Sequence, residues 1–199
     1  MIRLSFFIGM LIACSCHAGN QQYEALSDSV RAALALSISH AALPDSAFDS
    51  PEQRTQWLVE AALRLEKRMP NIQDRLEFLK TVHYEATRAG LDPELVLGLI
   101  EVESGFKKYA LSVVGARGYM QVMPFWIREI GQETDNLFHM RTNLRYGCVI
   151  LRHYLDIEKG DLFRALGRYN GSLGRSEYPN AVFSAWSRWK ILAELSSHK

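Results

Sequence analysis

Two glutamates, Glu101 and Glu103, follow the apolar run Leu95-Val-Leu-Gly-Leu-Ile100. This run predicts a helix that is buried on most sides, with the two acids in its last turn. Residues two apart lie roughly 200° apart around a helix, so both acids cannot face one cleft. We place Glu103 in the cleft, because it directly precedes Ser104-Gly-Phe106, where the helix should break. The other acid is then structural.

A glutamate in this position is suited to general acid catalysis. The negative end of the helix dipole and partial burial both disfavour the ionised carboxylate, so both raise its pKa. A general acid must hold its proton near neutral pH, and this location favours that. Taken alone, Glu103 is better explained as a solvated acid in the last turn of a helix, and it is the downstream motifs that favour the catalytic interpretation.

The segment that follows is rich in glycine and in uncharged side chains. Gly115 and Gly118 bracket a turn, and glycine allows a polymer to approach the backbone closely. Gln121 offers a donor and an acceptor to sugar hydroxyls or acetamides, while Met120 and Met123 offer adaptable apolar contact. An ordinary loop over a core is the alternative for such a turn.

Together these residues resemble the catalytic segment of the soluble lytic transglycosylases, lysozyme-like enzymes that cut the glycan strands of bacterial peptidoglycan. The resemblance covers roughly residues 74–190 and is carried by Glu101-Val-Glu-Ser-Gly-Phe106, Ala110-Leu-Ser112, Gly115-Ala-Arg-Gly118 and Tyr119-Met-Gln-Val-Met-Pro124. It implies that Glu103 is the catalytic acid. It also implies that Gln121 and Met123 line the cleft and that Ser112 hydrogen-bonds near the acid.

Two later motifs extend the resemblance with departures. Arg168-Tyr-Asn-Gly171 stands where the family usually carries Ala-Tyr-Asn-Ala-Gly, so the loop after it is shortened or reshaped. By resemblance, the Tyr169 hydroxyl approaches the catalytic glutamate and Asn170 contacts the substrate. Ser176-Glu-Tyr-Pro-Asn-Ala-Val182 keeps an aromatic-then-Val spacing but lacks the family's Thr-Arg pair. Tyr178 is carried over as a cleft residue.

The matched motifs hold no second carboxylate, although ordinary glycosidases use a pair. The resemblance implies that Glu103 acts as acid and then as base. It would cleave the β-1,4 bond between N-acetylmuramic acid and N-acetylglucosamine and leave 1,6-anhydromuramic acid ends. A goose-type lysozyme, which admits water instead, is one alternative. The other is a non-catalytic peptidoglycan-binding scaffold of a secretion or pilus machine.

The first eighteen residues predict a signal peptide, with a short basic start, an apolar run from Leu4 to Ala13, and Cys16-His-Ala18 as a cleavage site. Leu11-Ile-Ala-Cys14 also resembles a lipobox, which would leave Cys14 lipidated and the protein on the outer membrane. Either cut gives an exported, periplasmic protein. We divide the remainder into an N-terminal helical extension, residues 19–70, and a catalytic domain, residues 71–195.

Composition excludes other classes of function. The net charge of +1, without a Lys/Arg block, gives no electrostatic case for nucleic acid. The six histidines form no His-Glu-x-x-His pair and the cysteines are too few for a zinc site, so we expect no metal and no cofactor. The expected partners are peptidoglycan strands and, as a further hypothesis, cell-envelope machinery. Cys148 is predicted to be an inert buried thiol, and Trp126 either a core residue or a sugar platform.

The expected fold is all-α, a lysozyme-like helical domain of the goose-lysozyme and lytic transglycosylase type. Residues Leu111 to Val122 could add one small β-hairpin. Apolar periodicity and helix-start signals predict the remaining helices. Their predicted spans are 50–69, 72–89, 142–158, a helix that contains Tyr169, and 180–195.

Overall fold

The fold is all-α, as the sequence predicts. In the computed structural model, residues 21–39 and 51–196 are described, and they form eight helices without an extended strand. The helices are α1 (Asp28–Ser39), α2 (Pro51–Leu65), α3 (Ile72–Arg88), α4 (Pro93–Glu103), α5 (Phe125–Ile130), α6 (Met140–Ile157), α7 (Leu162–Asn170) and α8 (Glu177–Ser196). The predicted signal peptide lies outside the described residues.

Helix α4 is the central element, because every residue from Leu95 to Ile100 is buried. Local signals mark its start: Gly90 is left-handed with φ +66°, and Pro93 lies in the first turn. The Asp92 carboxylate accepts hydrogen bonds from the backbone N–H groups of Glu94 at 2.8 Å and Leu95 at 3.3 Å. Local signals therefore fix where α4 begins, and with it the helical turn in which Glu103 lies.

Helix α8 packs along α4 at unusually short range. A Cβ atom added at Gly98 would lie 2.7 Å from the Trp186 backbone nitrogen, so no larger residue fits without movement of one helix. Helix α8 begins at Glu177, three residues earlier than predicted, and includes Pro179. The missing N–H of a proline is tolerated there, because first-turn N–H groups have no partner within the helix.

Helices α2 and α3 form a layer beside α4. Helix α2 packs an apolar stripe into the core, formed by Leu58, Ala61, Ala62 and Leu65. Helix α2 ends at Leu65 and continues to 68 only as turns, which shortens the predicted span. The predicted span of α3 is one residue too long, and its first residue, Ile72, is exposed.

Helix α1 belongs to the region for which the sequence left the role open, and it contacts α5 and α6. The buried side chain of Glu85, in α3, organises the contacts at the end of α1. Arg145 bonds Glu85 through Nη2 at 3.0 Å and donates from Nη1 to the Ile38 carbonyl at 3.0 Å. Arg88 also bonds both Glu85 and the Ser37 carbonyl. Glu85 therefore positions two arginines, and both of them donate hydrogen bonds to carbonyl groups at the end of α1.

The segment between α4 and α6 is mostly irregular. The predicted hairpin is reduced to two isolated antiparallel bridges, which join Arg117 to Leu111 and to Val122. The short helix α5, which the sequence analysis did not predict, follows directly after Pro124. Across residues 21–39 and 51–196, none of the helices has the length and apolar character that a membrane crossing requires.

Candidate active site

Glu103 is the last residue of α4, and its side chain is only 5% exposed. The Tyr178 hydroxyl, from the first turn of α8, donates a hydrogen bond of 2.5 Å to Glu103 Oε1. The other oxygen, Oε2, is buried and accepts no hydrogen bond from the part of the chain that the structure describes. The carboxyl group is thus held at one oxygen and left unpaired at the other.

This environment favours the protonated form of the acid. Burial raises the pKa of Glu103 from 4.5 to about 8, although the hydrogen bond from Tyr178 works in the opposite direction. Both effects have simple causes, because burial penalises the charged carboxylate while a donor stabilises it. At neutral pH Glu103 therefore carries a proton.

Glu101 behaves in the opposite way, which confirms that one acid of the pair is structural. Its Oε1 accepts from Arg188 at 3.0 Å and from Arg68 at 3.4 Å, and its Oε2 accepts from the Trp189 indole at 2.9 Å. Partial burial acts to raise the pKa of Glu101, but these donors and cations together hold it below its usual value. As an ionised carboxylate, Glu101 joins α4 to α8 and to the turn that follows α2.

The chain turns sharply just after the acid. Gly105 and Phe106 are both left-handed, with φ +57° and +68°, and the second is an unusual conformation for a bulky residue. The buried Phe106 ring compensates by packing edge-on against Phe78 and Trp189 at centroid distances of 6.0 and 5.8 Å. Backbone strain therefore lies next to the candidate catalytic residue, where it is held by core packing.

Asn143 of α6 holds the glycine-rich loop in place. Its Nδ2 donates to the carbonyls of Arg117 at 2.8 Å and Leu137 at 2.9 Å, and its Oδ1 accepts from the Met120 N–H at 2.8 Å. Gly118 has φ +75°, and a Cβ atom there would collide with the Asn143 amide and lie 2.6 Å from the Leu137 carbonyl oxygen. Sequence reasoning missed Asn143, because nothing in a helical Asn indicates which loop it will contact.

Two predicted cleft residues form hydrogen bonds within the glycine-rich loop itself. Gln121 is buried with φ +48°, and its Nε2 donates to the carbonyls of Ala110 at 3.2 Å and Gly118 at 3.0 Å. Ser112 Oγ accepts from the Ala116 N–H at 3.0 Å and closes a turn of the same loop. We expected Gln121 to offer its donor to sugar and Ser112 to hydrogen-bond near the acid. In this structure both side chains instead form hydrogen bonds within the loop.

The two methionines of this loop lie in different environments. Met120 is fully buried, and it fills the space that a side chain at Gly147 of α6 would need: a Cβ atom added at Gly147 would lie 2.7 Å from Met120 Cβ. The prediction that Met120 contacts substrate is therefore wrong, because its side chain belongs to the core. Met123 is partly buried at the edge of the core, which leaves it as a candidate cleft residue.

The two tyrosines take different positions from those that the motifs implied. Tyr169 is fully buried, and its hydroxyl donates to the Met120 carbonyl at 2.7 Å. Burial raises the pKa of Tyr169 well above its usual value, and the nearby charge of Glu103 adds to this shift. Tyr169 thus lies close to the acid, while the direct hydrogen bond comes from Tyr178. Asn170, at the end of α7, is also buried.

The remaining candidates lie in the core. Trp126 is buried among Phe125, His153 and Tyr154, which excludes its ring face as an exposed sugar platform in this arrangement. Cys148 is buried, as predicted, and burial raises the pKa of its thiol well above the usual value. A protonated, enclosed thiol is unreactive.

An all-α domain with a buried acid at the end of its central helix agrees with the lysozyme-like fold that the sequence motifs implied. The family model described as the transglycosylase SLT domain matches residues 80–190, more than half of the chain. The chain therefore belongs to the SLT transglycosylase family. This agrees with the family that the sequence motifs indicated.

Individual relatives agree with this assignment. The chain is 32% identical over 103 residues to the transglycosylase of Enterobacteria phage PRD1, which covers 52% of this chain and 38% of that protein. It is 42% identical over 114 residues to membrane-bound lytic murein transglycosylase C of Haemophilus influenzae strain PittEE, which covers 49% of this chain and 32% of the relative. The matches thus span about a third of the length of these relatives.

A solved structure shows the same fold. It is an inactive mutant of the lytic transglycosylase Slt from Pseudomonas aeruginosa, with a TM-score of 0.53 and 21% sequence identity. The superposition covers 71% of this chain and 29% of that one.

Proposed function

We propose that this protein is a peptidoglycan lytic transglycosylase that uses Glu103 as a single acid and base. The observation that carries the proposal is the buried Glu103 carboxyl, with a pKa of about 8 and one oxygen without a partner among the described residues. Membership of the SLT family supports the reaction class. The substrate would be the β-1,4 bond between N-acetylmuramic acid and N-acetylglucosamine.

The hydrogen bond from Tyr178 determines which oxygen carries the proton. Since Glu103 Oε1 accepts from the Tyr178 hydroxyl, the proton of the neutral acid resides on Oε2. Oε2 is the oxygen that no described residue contacts by a hydrogen bond, so its O–H remains available to the bridging oxygen of a glycosidic bond. Tyr178 thus orients the acid and leaves the reactive oxygen unoccupied.

The other acids near the site in sequence are poor candidates for a second catalytic carboxylate. Both oxygens of Glu101 are engaged by Arg68, Arg188 and Trp189. Glu177 is exposed at the start of α8. A mechanism with one carboxylate accounts for this arrangement, whereas inverting and retaining hydrolases both need two.

The proposed reaction then has two proton transfers. Glu103 Oε2 gives its proton to the bridging oxygen while the bond from that oxygen to C1 of the muramic sugar breaks. The substrate's own acetamide, or dipoles of the cleft, stabilise the cationic sugar. The Glu103 carboxylate next takes the proton from the 6-hydroxyl as O6 bonds to C1, which closes the 1,6-anhydro ring and restores the acid. A raised pKa helps both steps, because the acid holds its proton at neutral pH and its conjugate base is strong.

The test is digestion of purified peptidoglycan by the protein without residues 1–18, followed by mass spectrometry of the soluble fragments. We expect muropeptides with 1,6-anhydro ends, one water lighter than hydrolytic products. Glu103→Gln should abolish them, while Glu101→Gln, two residues away, should retain the product type. Products with reducing ends would identify a goose-type lysozyme. Retained glycan binding without release would identify a non-catalytic scaffold.

The proposed location is the cell envelope, where the substrate lies. Several relatives are described as membrane-bound lytic murein transglycosylases, which supports this location. We propose export through the signal peptide, with lipidation at Cys14 or release after Ala18 as the two outcomes. Mass determination of the mature N-terminus distinguishes them. Association with cell-envelope machinery remains a hypothesis on which no observed contact bears.

A further inference from the structure

A loop with an apolar apex follows the candidate acid. In residues 107–117, here called the tip loop, the Gly115 N–H donates to the Ser112 carbonyl at 3.0 Å. Val113 and Val114 are therefore the two central residues of a β-turn. Such positions favour Gly, Pro, Asn, Asp and Ser, because these residues suit the turn conformation or hydrogen-bond within it. Valine has neither property, so the folding of the turn does not explain this pair.

The apex continues into an exposed apolar face. Val113 is fully exposed, Val114 is exposed, and Leu111 is 64% exposed. Tyr109 is exposed as well, whereas the residues that separate Tyr109, Leu111 and Val113 are partly buried. This alternation places the three apolar side chains on the outer face of the tip loop. Adjacent exposed apolar side chains of this kind mark a surface that binds a partner or a membrane.

The tip loop carries cations and no acids. The sequence from residue 104 to residue 128 contains neither Asp nor Glu. Lys107 and Lys108 are exposed at the start of the loop and Arg117 lies at its end, and none of the three forms an ion pair with a described residue. The Lys108 ammonium lies 5.3 Å from the centroid of the Tyr109 ring. The loop therefore combines an apolar apex with uncompensated positive charge at its base.

This combination is complementary to an anionic lipid surface. At a bilayer, aliphatic side chains enter the acyl boundary, tyrosine lies at the level of the headgroups, and lysine and arginine bind lipid phosphates. A stable protein partner would need a much larger contact area than one loop offers. An uncharged glycan strand would leave the cations without partners. Asn143 also holds the base of the loop through the Arg117 carbonyl at 2.8 Å, so the apex is presented on a fixed support.

We propose that the tip loop docks this protein on an anionic lipid bilayer, with its apolar apex in the acyl boundary and with Lys107 and Lys108 at the lipid phosphates. This binding site goes beyond the proposed function and does not depend on it. The loop leaves the chain soon after Glu103, at the end of the central helix. Docking would therefore hold the candidate active site close to the membrane surface.

The test is co-sedimentation with lipid vesicles of the protein without residues 1–18, so that neither the targeting segment nor a lipid on Cys14 contributes. Vesicles of phosphatidylethanolamine and phosphatidylglycerol should bind the protein more tightly than vesicles of phosphatidylcholine alone. Leu111→Asp should weaken binding to the anionic vesicles by at least about tenfold, because an apolar contact is lost and a like charge is added. Leu63→Asp, on α2, should leave binding unchanged. It is the matched control, since Leu63 is 66% exposed and undergoes the same change of charge.

Two further readouts report on the charges and on the apex. Lys107→Gln and Lys108→Gln should each weaken binding to the anionic vesicles by about fivefold, and added salt should act in the same direction. Val113→Cys places a thiol at the apex, while Cys148, the only other cysteine after residue 16, is buried. An environment-sensitive dye on this thiol should shift to shorter emission wavelength on anionic vesicles. The same dye on Leu63→Cys should not shift.

Several results would overturn the inference. These are an absence of binding to anionic vesicles, equal binding to neutral ones, and an equal loss for Leu63→Asp and Leu111→Asp. Weaker binding of Leu111→Asp to purified peptidoglycan, with vesicle binding unchanged, would also overturn it and would assign the loop to the acidic stem peptides of the wall. Formation of anhydro products in the absence of lipid decides the proposed function separately.

Discussion

Replacement of the buried acid should stabilise the protein, and by an amount that depends on pH. In the unfolded chain Glu103 loses its proton near its usual pKa of 4.5, whereas the folded protein keeps it up to about 8. Between these values the folded state holds one proton more than the unfolded state. Stability therefore falls with rising pH, by about 1.4 kcal/mol for each pH unit. At pH 7 this penalty is about 3 kcal/mol.

Glu103→Gln removes the penalty, because a neutral amide resembles the protonated acid and can still accept the hydrogen bond from Tyr178. We expect the variant to exceed the wild type in free energy of unfolding by about 3 kcal/mol at pH 7. The difference should disappear near pH 4. The measurement is urea denaturation of both proteins at several values from pH 4 to pH 8. Taking the difference between them cancels contributions from other titrating groups.

Glu101→Gln is the matched control, because Glu101 lies in the same helix turn and has the opposite environment. Its pKa is lowered by Arg188, Trp189 and Arg68 against the effect of partial burial. Its contribution to stability is present above the unfolded pKa and is lost as pH falls through the folded one. The variant should be destabilised at pH 7, less so at low pH. A pH-independent difference for Glu103→Gln, or the same sign for both variants, would refute the reasoning.

Three further substitutions test how the site is positioned. Tyr178→Phe removes a donor to the Glu103 carboxylate, so the alkaline limb of the kcat/KM profile on peptidoglycan should move up by about one pH unit; a downward shift would contradict the assignment. Asn143→Ala leaves the Met120 N–H and the Leu137 carbonyl without their partner and should lower the free energy of unfolding by about 2–5 kcal/mol in urea. Gly98→Ala places a methyl against the Trp186 backbone and should destabilise by about 1–3 kcal/mol, visible as a lower Tm; unchanged stability would show that α8 moves away freely.

The parts of this protein that the sequence predicts well depend on neighbouring residues. Gly90, Asp92 and Pro93 specify the start of α4, because caps and first-turn prolines act within a few residues. The apolar run of α4 specifies its burial, and the motif around Glu103 identifies the family. The predicted helix boundaries differ from the observed ones by a few residues at Leu65 and Glu177. The first helix passes into turns there, and the second contains a proline in its first turn, and neither feature is well specified by local sequence.

The assignment of individual side chains was less predictable. Met120 and Met123 are chemically equivalent in the sequence, yet one fills the core beside Gly147 and the other lies at its edge. The motifs pointed to Tyr169 as the partner of the acid, whereas the hydrogen bond comes from Tyr178. These outcomes depend on which helix faces which loop, and residue type carries no information about that.

By itself, the sequence determined the fold class and the family and predicted Glu103 as the acid, because helix periodicity, capping and a local motif all lie within short stretches of chain. Only the tertiary structure decided that α8 brings Tyr178 to Glu103, that Asn143 holds the loop, and that Gln21 accepts hydrogen bonds from residues about a hundred positions away in sequence. The physical reason is that burial and hydrogen-bond geometry arise from the packing of distant elements, and these two quantities set the pKa of the acid.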